Sequence, residues 1–552
     1  LAYHKANNNF YADDLTFARA STGTIVNADG LIEQVPYNLA TYSEQFDNAA
    51  WTKSNATISA NDTTAPNGTT TADKLIENTV NNNHYAAQNV TAENIAYTYS
   101  LYVKANTTTR VRVQMSDLTT GDVRLDYNFT TDTSLFNGSG NRGSWSSPSF
   151  SKTDLSEGWV KISISGIKGA GSVASCSVFL LDNSGNSSYT GNGTSGIYIY
   201  GAQINSGSTA KTYYPTTTRL NIPRVSYLNN ANGSLLLEPQ RTNLNTYSED
   251  IPQNYVTTEI SDTFEYSTSP NGLQTSTRLQ LSNVGSSRYV QTLTGIVSSG
   301  TAYTFSCYYK GTIGETAYMY ALPVGGTAIT KAITFTGEWQ RENLTFTAGA
   351  SSNYVYIVDS RQGGDASDFE VWGAQSEIGS YPTSYIPTSG TTVTRLADTS
   401  GTTGLSDVIG STEGTIFLEV AALANETNER RFALSDGTTG NVARVGFTAD
   451  LNRILAVLYN GSNQCVLNYY GADITQPNKI AFSYNTNDFT LFVNGQERAT
   501  DASGSTFSAN TLTDVHFNEG DGTGNESFGK FHQFQLYKTR LTNSELATLT
   551  TI

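Results

Sequence analysis

The sequence predicts an all-β chain of tandem antiparallel β-sandwiches, and three observations carry that expectation. Of the 552 residues only 14% are charged while 11% are aromatic, 33 of them tyrosine. Together with abundant Thr, Val and Gly, this is the composition of strands and tight turns rather than of helices or disorder. Apolar residues alternate with period two, as in Tyr97, Tyr99, Leu101 and Val103 of "AYTYSLYVK" and Tyr303, Phe305, Cys307 and Tyr309 of "AYTFSCYYK". Such alternation puts one apolar face on a half-buried strand. Third, those two segments are copies of each other within a longer duplication.

The duplication opens with "NLATYSEQF" at Asn38 and "NLNTYSEDI" at Asn243, and Pro66-Asn67-Gly68 recurs as Pro270-Asn271-Gly272. Trp159 recurs as Trp339, and "GAQINSGSTAKTYYPTTTRL" from Gly201 recurs as "GAQSEIGSYPTSYIPTSGTTVTRL" from Gly373. The offset between copies falls from 205 residues at Asn38 to 172 at Gly201, so the first copy holds an insertion, lying largely within Asp126 to Phe150. In chain order the expected parts are an N-terminal attachment segment (1–37), a first sandwich (38–218), a linker (219–242), a second, related sandwich (243–394) and a further β-domain (395–552). Short strands separated by Asn-Gly, Ser-Gly and Pro turns, with no βα alternation, favour antiparallel sheets.

In the last part Ile480, Phe482 and Tyr484 alternate, as do Phe489, Leu491 and Val493, and Asn494-Gly495 is a hairpin turn signal. The terminal "LTNSELATL" changes period, with Thr542 and Glu545 spaced as a capping box for one short helix.

Function classes narrow by chemistry. A formal net charge of −16, with 32 scattered basic residues, leaves no field for binding nucleic acid. Three separated cysteines (Cys176, Cys307 and Cys465) support neither a disulfide framework nor a zinc site, and Cys307 reads as core because it takes the place of Leu101. No apolar stretch of about 20 residues calls for membrane insertion. Four dispersed histidines and the lack of GxSxG, HExxH, P-loop or paired-carboxylate strand patterns give no catalytic residues. No cofactor is expected. Calcium alone has candidate ligands, Asp514, Asn518, Glu519 and Asp521 in "TDVHFNEGDGTGNE", although the spacing is not that of an EF-hand and the same residues form turns.

Aromatic side chains can stack on sugar rings as well as fill cores. The candidates for a glycan site are Trp51 with its near counterpart Tyr255, Trp145 in the unshared insertion, and Tyr200 with Trp372 on the variable face of the repeated strand. Trp159 and Trp339 repeat in register and read as packing. Arg219 and Arg395, which close the two copies, are candidates for module-junction contacts.

Two resemblances add to this reading. "LFVNGQ" and "FGKFHQFQLYKTRLTNSEL" resemble the concanavalin A-like or laminin G-like jelly-roll superfamily, which implies a C-terminal jelly roll. "NLNTYSED" and "VWGAQSEIGSYPTSYIPTSGTTVTRLAD" look like the carbohydrate-binding-module-like sandwiches of bacteriophage tail and fibre proteins, and "LTFARASTGTIVNADGLIE" is similar to the beginning of that group. The resemblance implies a virion tail or fibre appendage, extracellular when acting, homo-oligomeric among other virion proteins and adhering to a bacterial surface glycan without catalysis. A purely structural virion protein and a glycan-cleaving tailspike are the alternatives it leaves.

Overall fold

The structure, a computed structural model, describes the chain apart from residues 1–2, 5–8, 11–14, 20, 36–37, 93–95, 119–120, 138–143, 170, 172, 212, 218–222, 229, 254, 293–297, 324 and 351–352. It is all-β with antiparallel sheets, and Asn543–Thr550 is the one α-helix among the described residues. That helix carries the capping box of Thr542 and Glu545. Two compact units are present: Pro36–Ile222, and Leu1–Val35 together with Pro223–Ile552.

The first unit is a sandwich of two six-stranded sheets. One has the strand order Thr133–Asn137, Asp122–Asn128, Arg110–Ser116, Val173–Leu180, Tyr85–Thr91, Thr52–Ser54; the other runs Trp145–Asp154, Trp159–Lys168, Ala96–Ala105, Gly196–Ser206, Ala72–Glu77, Ala56–Thr63. Alternation explains the core directly. Val111, Val113 and Met115 from the first sheet and Tyr99, Leu101 and Val103 from the second are each fully buried and point at one another's layer. The second sandwich repeats the plan with five strands per sheet, and the insertion accounts for the difference by supplying the extra outer strands Thr133–Asn137 and Trp145–Asp154.

The repeated motifs form a clasp, once in each sandwich. Asn38 Nδ2 donates to the carbonyls of Ala202 (2.8 Å) and Tyr214 (3.1 Å), and Asn243 Nδ2 to those of Ala374 (3.2 Å) and Ile386 (2.8 Å). The glutamine of each Gly-Ala-Gln accepts the backbone N–H of the exit segment, Gln203 from Tyr214 at 2.8 Å and Gln375 from Ile386 at 2.7 Å. Ser43 lies 2.8 Å from the Tyr213 hydroxyl, and Ser248 lies 2.6 Å from that of Tyr385. The opening residues of each sandwich are therefore tied to the segment that leaves it. Gly201 and Gly373 have φ of +61° and +68°, opposite register shifts in the neighbouring strands, and a Cβ there would meet Tyr102 or Tyr308. Glycine supplies both the backbone conformation and the clearance.

The second unit corrects two expected boundaries. Residues 219–242 are not simply a linker, because Val225–Ser226 and Ser234–Leu237 are strands of a seven-stranded sheet, paired through Leu235 with Phe531. Described residues of the segment 1–37 are likewise part of the fold. Thr16–Ala18 pairs with Thr399–Thr402 in a second seven-stranded sheet, while Leu15 and Phe17 are buried in the core between the two. Apolar side chains at 15, 17, 235 and 237 have a sheet surface to cover, so these stretches fold rather than hang free.

Candidate functional site

An open groove of ≈ 480 Å³ crosses the outward face of the first sandwich's insertion-bearing sheet. Strand pairing lays its residues in transverse rows. Phe179 stands beside Tyr85; the next row runs Ala87, Ser177, Gln114, Arg124, and the third Ser175, Ser116, Asp122. Successive rows are two residues, about 7 Å, apart along the strands. Its central residues, Ala87, Ser175 and Ser177, are small, which leaves room between the larger side chains around them. At one end Tyr85 and Phe179, both half-buried, lie with ring centroids 4.6 Å apart and planes 32° from parallel. At the other, Arg124 lies 3.5 Å from the Asp122 carboxylate.

The groove's polar edge is selective. Arg112, one row beyond Arg124, is committed to Asp126 through paired contacts of 2.6 and 2.9 Å and also donates to Ser187 at 3.3 Å. Asp122 is the one carboxylate among the described lining residues. The site thus combines an aromatic wall, a floor of hydroxyls and methyls, an amide at Gln114 and one cation beside one anion. This is an arrangement for holding a polar, ring-containing ligand through ring faces and hydroxyls.

None of the five aromatic candidates lies here or presents a free face. Trp51 is enclosed against Phe46 (4.6 Å) and donates its indole N–H to the Tyr42 carbonyl at 3.0 Å. Trp145 is not a loop residue: it begins a strand and is buried in the first core. Tyr255 packs in the second core, 5.5 Å from Tyr289. Tyr200 donates its hydroxyl to Glu44 at 2.6 Å, and Trp372 packs 4.5 Å from Tyr385 and donates to Thr275 Oγ1 at 3.0 Å. For the last pair, alternation does place the side chains on the outer face, but Tyr213 and Tyr385 of the clasps cover that face. A ring with no open face cannot stack on a sugar, so these residues are corrected from ligand contacts to packing.

Burial shifts ionisation in the same sense. The Tyr200 phenol is pushed well above its ordinary pKa, first by burial and then by the Glu44 carboxylate it bonds. Burial likewise raises the Cys307 thiol to about 12. That thiol sits within the second core and donates to the Trp372 carbonyl at 3.3 Å.

The oxygen donors considered for calcium are taken up by local turns at Asn518 and Asp521 and by longer-range contacts at Asp514 and Glu519. Asn518 accepts from Gly520 N (2.9 Å), Asp521 from Thr523 N (2.9 Å) and Asp514 from Gly404 N (3.3 Å), while Glu519 is bonded by Asn525 and lies 3.9 Å from Arg444. Among the described residues no group of three His, Cys, Asp or Glu side chains is placed to hold a metal ion.

Arg395 is fully buried and donates to Glu238 Oε2 (2.6 Å), Ser384 Oγ (2.9 Å) and the Pro239 carbonyl (2.5 Å). Arg224 bonds the same Glu238 oxygen at 2.6 Å and also Asp398, which Arg19 reaches at 2.8 Å. Arg219 lies outside the described residues. The residues that sequence reasoning misses are Tyr85, Phe179, Gln114 and Arg124. For Gln114 and Phe179 the signal is the alternation of "RVRVQMS" and "SVASCSVFL", in which the outward set is as patterned as the inward one.

No family model matches the chain, and no curated protein matches it. Among solved structures it is similar to the CBM40 of the Ruminococcus gnavus IT-sialidase, with 18% identity over 26% of this chain and 84% of that one and a TM-score of 0.22. It is also similar to the N-terminal CBM22-1–CBM22-2 tandem domain of Xyn10C from Paenibacillus barcinonensis, with 10% identity over 66% and 100% and a TM-score of 0.22. Domains LG4-5 of the mouse laminin α1 chain give 11% over 55% and 93%, with a TM-score of 0.20. At these TM-scores the likeness fixes no ligand, and the site rests on its own geometry.

Proposed function

We propose that this chain is a non-catalytic glycan-binding adhesin, carried on a bacteriophage tail fibre or similar virion appendage. Its recognition site is the outward groove of the first sandwich. The observation that carries the reading is the pairing of the Tyr85–Phe179 wall with a floor of Ala87, Ser175 and Ser177, beside Gln114 and the Arg124–Asp122 pair. The rings would take the apolar face of one sugar, and the rows beyond would meet the hydroxyls of the next. Three rows cover about 14 Å, the scale of a short oligosaccharide. Hydrolysis by the usual route needs two flanking carboxylates, and the described lining offers Asp122 alone. The virion setting is supported by the sequence motifs resembling phage tail proteins, and the C-terminal double sheet is read as the jelly roll implied by the concanavalin A-like or laminin G-like resemblance of "LFVNGQ" and "FGKFHQFQLYKTRLTNSEL". Weak single-site contacts would become durable attachment through many copies of a homo-oligomeric appendage.

The test is binding of the purified full chain to isolated host-envelope polysaccharides, followed by analysis of the sugars released. Saturable binding with no new reducing ends is expected. Hydrolysis products would overturn the non-catalytic reading, and a lack of binding, with normal host adsorption by particles lacking the protein, would overturn adhesion.

A further inference from the structure

A second cavity lies wholly within the unit formed by Leu1–Val35 and Pro223–Ile552, and is distinct in character from the groove. It encloses ≈ 190 Å³ and draws its lining from the antiparallel hairpin of Thr24–Val26 and Ile32–Gln34, the second sandwich and the C-terminal sheets. Much of its wall is aliphatic, supplied by Ile25, Val26, Leu228, Leu236 and Leu423. Three of its hydroxyls are already engaged as donors. Thr24 donates to the Tyr385 carbonyl at 2.5 Å, Thr383 to Glu377 at 2.7 Å and Ser384 to Glu238 at 2.6 Å. The Glu238 carboxylate is itself neutralised by Arg224 and Arg395 at 2.6 Å each.

Two cationic side chains remain on this wall. Lys530 pairs across the sheet with Leu236 and Ala421, in alternation with the core residues Leu235 and Leu237, so its side chain projects away from the core on the cavity side. It has no hydrogen bond or ion pair to any of the described residues, and its half-buried position lowers the pKa of the ammonium. Arg341 lies over the Tyr308 ring at 5.5 Å and donates to the Thr383 carbonyl (2.7 Å) and to Ser306 Oγ (2.9 Å), while its buried Nε has no partner. The carboxylate that acts on Lys530 is Glu238, which Arg224 and Arg395 already bond, so cations outnumber carboxylates on this half-buried wall, and a bound anion offsets the cost of burying them.

We propose that this cavity binds a short-chain aliphatic monocarboxylate, its carboxylate held by Lys530 with Arg341 and its tail against Leu228 and Leu236. An acidic sugar fits less well, because the aliphatic side chains of Ile25, Val26, Leu228, Leu236 and Leu423 would leave many of the sugar's own hydroxyls unpaired. The volume is below the roughly 300 Å³ at which pockets for drug-sized ligands begin, which selects a small molecule.

The experiment is calorimetric titration of the full chain with sodium hexanoate, alongside hexanol, hexylamine and sodium glucuronate. Hexanoate is expected to saturate one site and the other three to give no saturable heat. Lys530→Met, which keeps the aliphatic reach, should weaken hexanoate about tenfold or more, whereas Lys530→Arg should retain it. Leu228→Trp, at an exposed position on the rim, should obstruct the cavity and weaken hexanoate while leaving the melting temperature in place, which keeps the idea testable if Lys530→Met fails to fold. Absence of saturation, equal binding of hexanol, or unchanged hexanoate affinity in either Lys530→Met or Leu228→Trp would overturn the proposal.

Discussion

The two sandwiches share a frame and differ in what stands on the same outward sheet face. In the first, the strands Val173–Leu180 and Arg110–Ser116 present Ser175, Ser177, Gln114 and Ser116, and a groove results. In the second, the strands holding those places in the sheet order, Asn353–Asp359 and Thr316–Pro323, present Tyr354, Tyr356, Tyr320 and Leu322. Tyr320 and Tyr356 lie 5.5 Å apart, and Arg361 stacks over Tyr356 at 5.3 Å while pairing with Asp359. One face is emptied by small residues and the other is filled by rings. The binding groove is thus made by subtraction on a duplicated scaffold, while the clasp and the core, which hold the scaffold together, stay the same.

The largest expected effect comes from erasing that subtraction. Ser177 points away from the core at the centre of the floor, so Ser177→Trp should fill the groove and abolish glycan binding. Because Ser177 is only 4% exposed and its Oγ donates to the Gln114 carbonyl at 3.4 Å, crowding by the larger ring should cost about 1–3 kcal/mol of stability, short of unfolding the sandwich. Parallel glycan-binding and thermal-melt assays check this, and retained binding would remove the groove from the proposal.

A second contrast lies beneath the faces, at Asp73 of the first sandwich and Thr277 of the second, which pair with Ile199 and Val371 in corresponding strands. Asp73 is buried and accepts the backbone N–H groups of Phe46 (2.8 Å) and Asn61 (2.9 Å). Burial raises its carboxyl from 3.8 to about 6. A raised carboxyl pKa means that the folded state binds the proton more tightly than the unfolded chain. The stabilisation from protonation is therefore complete below pH 3.8 and is lost as the pH rises to about 6. The loss is on the order of 2–3 kcal/mol across that window. Melts of the first sandwich from pH 3.5 to 7 should show this slope, and Asp73→Asn should flatten it. An unchanged slope in the variant would assign the pH dependence to other groups.

Next in size is the aromatic wall. Tyr85→Ala should weaken glycan binding about tenfold, the loss of one stacked ring, worth ~1–2 kcal/mol. Truncating Tyr320 on the second sandwich should leave glycan affinity unchanged. Equal losses from the two substitutions would mean that the filled face also binds, and the contrast between the sandwiches would fail.

These comparisons also show what a sequence reveals and what it hides. Alternation at Tyr97–Val103 and Tyr303–Tyr309 was legible because central strands must bury one side, and the duplication supplied the frame. Tyr200 and Trp372 were misleading because period two assigns a side chain to a face without saying whether another segment covers that face. The covering segments, at Tyr213 and Tyr385, are recognisable only after the chain has turned back on itself. The groove was hidden for the opposite reason. Ser175 and Ser177 look unremarkable in "SVASCSVFL", and their meaning comes from neighbours on three other strands. In "SLLLEP", the apolar run Leu235–Leu237 was a strand signal inside the expected linker, obscured because the repeat frame ends just before it.

The smallest effect tests whether the duplicated clasp is as equivalent as its geometry. Ser43 Oγ contacts the Tyr213 hydroxyl and accepts the Thr216 N–H at 2.8 Å; Ser248 Oγ contacts Tyr385 and accepts the Thr388 N–H, also at 2.8 Å. In both sandwiches the tyrosine keeps a second partner 3.1 Å away, Glu44 or Glu249. Replacing either serine by alanine therefore removes this pair of contacts, and in the second copy also a long Ser248 Oγ contact to the Thr388 carbonyl at 3.4 Å, and leaves the tyrosine bonded to its glutamate, at a cost of about 1 kcal/mol each. Hydrogen exchange at Thr216 and Thr388 reads each clasp separately, and each amide should lose protection only when its own serine is replaced. A much larger loss in one copy would show that its exit segment depends on the clasp alone. Equal losses would place the difference between the sandwiches on their outward faces, where small residues in one and tyrosines in the other decide whether there is room for a ligand.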